Sequence, residues 1–342
     1  MTSSMVTSRP EARPTLPLRN RIAHIDQAWL VIGITVVLVV LGAILNGQFL
    51  SASNFSNFLR LSAPFAILAV GQAIVVMGKG IDLSSAAVAL GFSQATLAFV
   101  AKGMPELQAI LISALLAALV GVLNGWLVAY VEVPALFVTL STGLLTIGLV
   151  NIFLVDENFY QLADGSLLRG LASGTVFGVS KAVLIAALVF LLAWVFVQHT
   201  TPGKLIRAMG DNFQTARSTG APVRRLQMLS YVISACLAFF AGLVTISISG
   251  SSQTVLSSFH PLLFTALTVT VIGGVSLSGG RGTIFGILAG TLFVGVLNNI
   301  LVLQGLSAAM QDLIRGGVLL GAIWVDTWLH PRDEETAKSG EL

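Results

Sequence analysis

The stretch AWLVIGITVVLVVLGAILN at Ala28–Asn46 contains no charged side chain. An α-helix rises about 1.5 Å per residue, so about 20 apolar residues cross the roughly 30 Å of hydrocarbon in a bilayer. The stretch has this length and predicts a first transmembrane helix. Nine more apolar segments of similar length follow it: Leu59–Met77, Leu83–Ala101, Gln108–Tyr130, Pro134–Leu154, Lys181–Gln198, Met228–Ile248, Pro261–Ser278, Thr283–Leu303 and Ala308–Asp326.

The composition points to the same class of protein. Hydrophobic residues make up 55% of the 342 residues and charged residues only 10%, and the mean hydropathy is +0.91. About a quarter of the residues in a typical soluble domain are charged, so a soluble protein is excluded. The single cysteine, Cys236, excludes an intramolecular disulfide framework. We predict an all-α integral membrane protein with about ten transmembrane helices; eight or nine full spans with one broken helix fit the apolar pattern nearly as well.

The basic residues predict the orientation. With a cytoplasmic N-terminus, thirteen of them fall in cytoplasmic segments: Arg9, Arg13, Arg19, Arg21, Lys79, Lys204, Arg207, Arg217, Arg224, Arg225, Arg281, Arg332 and Lys338. Only four fall outside: Arg60, Lys102, Arg169 and Lys181. Because Lys and Arg concentrate on the cytoplasmic side of membrane proteins, both termini are predicted to be cytoplasmic.

The predicted organisation has three parts. Residues 1–27 form a polar, disordered cytoplasmic tail, residues 28–326 form the transmembrane domain, and residues 327–342 form a second cytoplasmic tail. The lipid bilayer is thus a predicted partner. Nucleic acid is not a predicted partner, because the basic residues occupy many short loops without interleaved aromatic residues.

Sequence motifs of catalysis and metal binding are absent. Neither Gly78-Lys79 nor Gly203-Lys204 has the spacing of a Walker A motif. No nucleophile and base stand out as a pair among the spans. The four histidines lie far apart, without the spacing of metal ligands: His24, His199, His260 and His330. We expect no catalytic residue, metal or cofactor in the chain itself.

The cytoplasmic loop at 199–227 contains a short predicted helix, within GDNFQTARSTGAP at Gly210–Pro222. Asp211 is the expected N-cap, and Gln214 three residues later is its expected capping-box partner. Gly220 suits the left-handed position after the helix, and the following proline prevents its continuation. A helix of about eight residues is marginal alone in water, so we expect it to dock.

Two docking hypotheses follow from the spacing. Phe213 and Ala216 share one face, with Arg217 beside them, and this face suits a protein partner. Alternatively, the helix lies on the membrane surface, where anionic lipids hold its arginines.

Six stretches resemble, in family order and spacing, the signature stretches of the ribose-type sugar ABC transporter permeases. They span the chain from about Phe49 to Asp326, so the set is far more specific than any single member. They are GIDLS at Gly80–Ser84, VPA followed by VTL within Val133–Leu140, the run Gly210–Gly220, GGVSLSGGRG at Gly273–Gly282, LNN at Leu297–Asn299, and the ending Val325-Asp326.

The resemblance implies a permease of the bacterial inner membrane that imports a small sugar of the pentose or hexose class. Its partners would be two ATP-binding subunits at the cytoplasmic face, a second permease copy or paralogue, and a periplasmic sugar-binding protein. ATP would be hydrolysed by a partner subunit. The loop helix would be the coupling helix, and its implied ATPase-coupling residues are Gly210, Asp211, Asn212, Phe213, Gln214, Ala216, Arg217 and Gly220.

Polar residues within the spans are candidates for the substrate path. Asn124, Asn298 and Asn299 carry amides that suit hydroxyl-rich ligands, although such amides more often bridge helices. Asp82 either lines the path, relays protons or binds backbone N–H groups of the preceding Gly-rich turn. Asp312 and Arg315 are three residues apart and are expected to pair.

Two other interpretations stay open. The chief rival is an ion-driven secondary transporter acting alone, which needs buried ionisable groups, and few are present. The other is an intramembrane enzyme or a structural scaffold. Glycines spaced by four residues, at Gly121 and Gly125 and at Gly282, Gly286 and Gly290, predict close helix packing.

Overall fold

The computed structural model of the chain describes residues 27–157, 159–253 and 256–329. Most of both predicted tails lies outside these residues. The described residues are overwhelmingly helical, which confirms the predicted all-α membrane class. The long helices are α1 (Gln27–Leu45), α2 (Ala52–Met77), α3 (Ser85–Ala101), α4 (Glu106–Ala129), α5 (Ala135–Leu149), α7 (Lys181–His199), α10 (Val223–Ser249), α11 (Leu256–Ile272), α12 (Ile284–Leu303) and α13 (Ala308–Leu329).

Each predicted span coincides with one of these long helices. Among the described residues, eight helices are long and apolar enough to cross a bilayer. Two further apolar helical segments, Ser85–Ala101 and Pro261–Ile272, are shorter. The helix that contains the second predicted span, α2, begins at Ala52, ahead of Leu59, and has Pro64 in its interior. Proline is tolerated inside a membrane helix whose neighbours satisfy the freed backbone groups.

Helix α10 lies at the centre of the bundle, where it packs against α2, α3 and α4. Tyr231 on α10 is completely buried. A Cβ atom at Gly125 would lie 2.6 Å from the Cα of Met228, and one at Gly121 would lie 2.8 Å from the Cα of Val232. These glycines therefore allow α4 and α10 to approach backbone to backbone, as their spacing predicts.

Helices α11 and α12 meet in the same way. A Cβ atom at Gly286 or Gly290 would overlap the backbone of α11 or of the turn that follows it, at Val269 and Gly273. The N-cap of α12 is Thr283, whose hydroxyl accepts a 3.0 Å hydrogen bond from the Gly286 amide. The predicted close packing is thus confirmed for Gly286 and Gly290, whereas Gly282 lies in the turn before α12 with φ +136°.

The segment between α5 and α7 contains structure that the apolar pattern did not predict. A π-helical turn at Val150–Leu154 follows α5. The shorter elements of this region are β1 (Phe159–Gln161), α6 (Leu167–Ala172), β2 (Thr175–Val176) and β3 (Val179–Ser180), and a fourth strand, β4 (Ser251–Gln253), follows α10. Strand β1 pairs antiparallel with β4, and β2 pairs with β3. The first ladder joins the segment after α5 to the segment after α10.

Candidate functional site

The loop between α7 and α10 contains two short helices, α8 (Thr201–Asp211) and α9 (Phe213–Ser218). Asp211 is the last residue of α8, so its predicted role as N-cap was wrong. Asn212 caps α9 instead, and its Oδ1 accepts a 2.9 Å hydrogen bond from the Thr215 amide. With the cap moved by one residue, Gln214 is not in the capping-box position.

The end of α9 follows the sequence prediction. Gly220 has φ +84°, the left-handed conformation that glycine adopts without steric cost. Its amide donates to Arg217 O at 3.0 Å, and the Ala221 amide donates to Ala216 O at 3.2 Å. These two bonds form a Schellman motif, which fixes where the helix ends.

Helix α9 has one face on the bundle and one in solvent. Ala216 is buried, and Phe213 packs partly against the main hydrophobic core. Gln214 and Arg217 are exposed. The predicted docking face is therefore divided: Phe213 and Ala216 anchor α9 to its own chain, and the exposed side carries the polar groups.

Helix α8 is seated against two Gly-rich turns. Gly210 lies so close to the end of α2 that a Cβ atom would overlap the carbonyl of Met77. That same carbonyl accepts a 2.9 Å hydrogen bond from the amide of Gly280, in the turn between α11 and α12. The loop helices, α2 and the α11–α12 turn thus form one continuous surface.

A buried polar network centres on Asp82, in the turn before α3. Its Oδ1 accepts hydrogen bonds from the amide and the hydroxyl of Ser84, at 2.9 and 2.6 Å. Its Oδ2 accepts from the Ser234 hydroxyl at 2.7 Å. Asp82 is only 1% exposed. Of the roles considered for it, binding to the turn backbone is the one that these contacts display.

Asn124 extends this network to two more helices. Its amide group donates to Ser84 Oγ at 2.8 Å, and its Oδ1 accepts from the Thr142 hydroxyl at 2.6 Å. Asn124 is also 1% exposed. It therefore bridges α4 to α5 and to the start of α3, which is the commoner role of a buried amide in a membrane helix.

Asn298 and Asn299 lie at the opposite end of the bundle from Asp82, beside a cavity of about 290 Å³. Asn299 and Asn54 exchange two amide hydrogen bonds of 2.9 Å. Arg315 donates to Asn298 Oδ1 at 2.9 Å and to Asp312 at 3.0 Å, which confirms the predicted ion pair. Phe58 and Phe65 are among the apolar residues of the cavity wall.

Several polar residues of these sites were missed by the sequence analysis. Ser84, Thr142 and Ser234 complete the Asp82 network, but hydroxyls within apolar helices are too common to single out. Asn54 precedes the predicted second span, Leu59–Met77, so the apolar pattern does not single it out. The start of α2 at Ala52 brings it opposite Asn299.

Two glutamines stand apart from both networks. Gln72 on α2 and Gln94 on α3 are completely buried. Their amide nitrogens and oxygens have no hydrogen-bond partner among the described residues. An unpartnered amide in an apolar interior destabilises the fold.

The comparisons with known proteins agree on one family. A family model described as the permease component of branched-chain amino acid transport systems matches residues 54–323. The chain belongs to this permease family. No solved structure matches it.

Curated relatives of this permease are similar over most of their lengths. The ribose import permease of Escherichia coli K12 is 32% identical over 294 residues, which cover 85% of this chain and 90% of the relative. The galactose/methyl galactoside import permease of Salmonella typhimurium is 31% identical, with 88% and 95% covered. The fructose import permease of Rhizobium meliloti is 31% identical, with 86% and 83% covered. This permease is a multi-pass protein of the bacterial inner membrane.

Proposed function

We propose that the chain is the membrane-spanning subunit of an ATP-driven importer for a small sugar of the pentose or hexose class. The relatives that support this are import permeases for ribose, galactose and fructose. ATP-binding subunits would act at the cytoplasmic face, a second copy or a paralogue would complete the path, and a periplasmic protein would deliver the sugar. Both termini are cytoplasmic in this proposal.

The observation that carries the proposal is helix α9. It is short, capped at both ends and anchored to the bundle by Ala216, and its other side is exposed. Because α9 contacts α8 and α10, pressure from a neighbouring subunit on its exposed side would pass to those two helices. We assign the coupling role to the segment from Gly210 to Gly220, with Arg217 and Gln214 as its outward groups.

The substrate path is proposed to pass the cavity beside Asn298 and Asn299. Amide groups and the Arg315 guanidinium at this cavity offer donors and acceptors to sugar hydroxyls, and the phenylalanines offer apolar walls. Asp82 and Asn124 are assigned to holding the helices around the path, because their polar atoms already bond to the chain.

Reconstitution tests the proposal. The chain is tagged, purified from its native membrane, and its associated proteins are identified. Vesicles with the resulting complex are expected to take up ribose, galactose or fructose only with ATP and a sugar-binding protein. Uptake by the purified chain alone, driven by an ion gradient, would contradict the proposal and support a secondary transporter.

A further inference from the structure

The hairpin of strands β2 and β3 ends in an exposed aromatic side chain. Its register pairs Val176 with Val179, which leaves Phe177 and Gly178 as a two-residue turn. Phe177 is 102% exposed, the largest value among the exposed large hydrophobic residues of the described part of the chain, and both valines are exposed as well. We infer that the tip of this hairpin inserts into the interface of the bilayer, where Phe177 contacts lipid. The inference does not depend on which substrate the bundle transports.

The backbone of the turn is unfavourable for phenylalanine. Phe177 has φ +50° and Gly178 has φ +80°, and positive φ at both central residues is the pattern of a type I′ turn. Asn-Gly is the usual pair in such a turn, because a bulky side chain in the left-handed conformation costs free energy. Strain of this kind concentrates at functional positions. A contact outside the chain that buries the Phe177 ring would offset its cost.

The base of the hairpin is held in place, so the tip projects from a fixed support. The Lys181 amide donates to Gly174 O at 3.1 Å, and the Lys181 ammonium donates to Gly170 O at 3.0 Å. The Ala172 amide, at the end of α6, donates to the hydroxyl of Ser247 on α10 at 2.8 Å. These bonds fix the two ends of the segment that carries Phe177.

The length of α7 places the hairpin at the level of the lipid headgroups. Helix α7 begins directly after β3 and has 19 residues, which span about 28 Å, close to the roughly 30 Å of hydrocarbon in a bilayer. Its first residue, Lys181, therefore lies at the edge of the hydrocarbon. The polar layer beyond is about 5–8 Å thick, and a two-residue strand is only about 7 Å long. Phe177 therefore lies within reach of this layer.

The composition of the hairpin favours lipid over a protein partner. No charged residue lies between Arg169 and Lys181. A stable protein interface takes about 20 residues from each side and surrounds its apolar centre with a polar rim, far more than this tip presents. One aromatic side chain, by contrast, is enough to occupy the bilayer interface, where aromatic residues are enriched and lysine side chains reach the headgroups.

A spin label at position 177 tests the inference. Cys236 is the single cysteine, so Phe177→Cys in a Cys236→Ser background is labelled at one site and reconstituted in phosphatidylcholine vesicles. Oxygen partitions into lipid and a nickel chelate stays in water, so their relative accessibility to the label measures its depth. Glu157→Cys is the water-exposed reference, and Leu192→Cys, on the exposed face of α7, is the lipid reference. The value at 177 is expected to lie nearer that of 192; a value equal to that of 157 would overturn the inference.

Phe177→Trp provides a second measurement that keeps an aromatic ring and needs no label. The fluorescence that this variant adds to that of the five native tryptophans is expected to be quenched in vesicles of phosphatidylcholine brominated on its acyl chains. Glu157→Trp is the matched control at the same end of the bundle, and its added fluorescence should stay unquenched. Equal quenching of the two, or none at position 177, would contradict the lipid contact.

Two other occupants are distinguished with the same labelled chain. If the label at 177 is accessible to the nickel chelate and becomes protected only when a purified sugar-binding protein is added, the tip is a protein contact. If labels at 177 broaden each other's spectra through dipolar coupling, and dilution with unlabelled chain removes the broadening, the tip meets a second copy. Either result overturns the inference and leaves the proposed transport function untouched.

Discussion

The Ser234 hydroxyl donates a 2.7 Å hydrogen bond to Asp82 Oδ2, although 152 residues separate them in the chain. Since Oδ1 of the same carboxylate binds the amide and hydroxyl of Ser84, Asp82 ties the turn before α3 to the middle of α10. This carboxylate therefore fixes how the Gly-rich turn sits on the central helix.

Replacement of Asp82 is expected to loosen this junction. In Asp82→Ala three buried donors lose their acceptor, so we expect the free energy of unfolding to fall by about 2 kcal/mol or more. Asp82→Asn keeps an acceptor for Ser84 and should cost less. Thermal unfolding in detergent measures both. Equal losses in the two variants would mean that charge, and not hydrogen-bond geometry, sets the contribution.

Replacement of Gln72 or Gln94, whose amides are unpartnered, is expected to raise stability, whereas replacement of Asp82 lowers it. Gln72→Met and Gln94→Met remove a buried polar group that has no partner among the described residues. Each is expected to raise the free energy of unfolding by about 1 kcal/mol. Gln304→Met, at an exposed helix end, is the matched control and should change little. A loss of stability in the buried variants would show that water or another group satisfies these amides.

The sequence was sufficient for the helices but not for every boundary. Apolar length predicted where the long helices lie, and glycine spacing predicted where two pairs of them approach closely, because these signals reflect the bilayer and backbone contact directly. The start of α2 was missed because Asn54 and Asn57 make that turn of helix polar. The strands were missed because two- and three-residue ladders carry no apolar period.

Glycine substitutions can distinguish helix faces that pack closely on a neighbour from faces that have free space beside them. Gly286→Val would force a side chain into the backbone at Gly273, so we expect severe loss of stability and of folded yield. Gly317 on α13 has nothing within 4 Å of an added Cβ. Gly317→Ala is expected to leave the monomer unchanged or to stabilise it by up to about 1 kcal/mol. Size-exclusion yield and unfolding temperature compare the two; a tolerated Gly286→Val would refute the close contact.

The Arg315 guanidinium donates hydrogen bonds to three side chains, those of Asn298, Gln311 and Asp312. Lysine keeps the charge but cannot donate in three directions from a planar fork. Arg315→Lys is expected to lower stability by about 1 kcal/mol and to lower sugar uptake by the reconstituted complex. Lys181→Arg, far along the chain, serves as the control. Wild-type stability and uptake in Arg315→Lys would show that only the charge matters.

Helix α9 allows a test of coupling that avoids misfolding. The Arg217 side chain is exposed and forms no ion pair with another described residue, so Arg217→Glu should keep the wild-type unfolding temperature. In the complex, we expect uptake to fall about tenfold while sugar still binds to its external protein. Phe213→Asp is a poorer probe, because Phe213 packs on the core and its loss also lowers stability. Unchanged uptake and ATPase stimulation in Arg217→Glu would refute the coupling role.

The sequence predicted only those features of the candidate site that depend on residues close together in the chain. The position of Gly220 after the helix was predicted correctly, because a single glycine is enough to indicate a left-handed turn. The cap was assigned to Asp211 when it is Asn212, because α8 was not foreseen and either residue makes a good cap. The network around Asp82 joins four separate helices and turns, and no pattern along the chain reveals which distant hydroxyl meets which carboxylate.

The contact between Gly286 and Gly273 has a mechanical consequence. Where two backbones touch without intervening side chains, neither helix can slide or rotate on the other without a steric clash. Helices α11 and α12 are therefore expected to move together when the bundle rearranges. A hinge is then expected at the ends of that pair, where the turn at Gly279 and Gly280 adjoins α8 and α2.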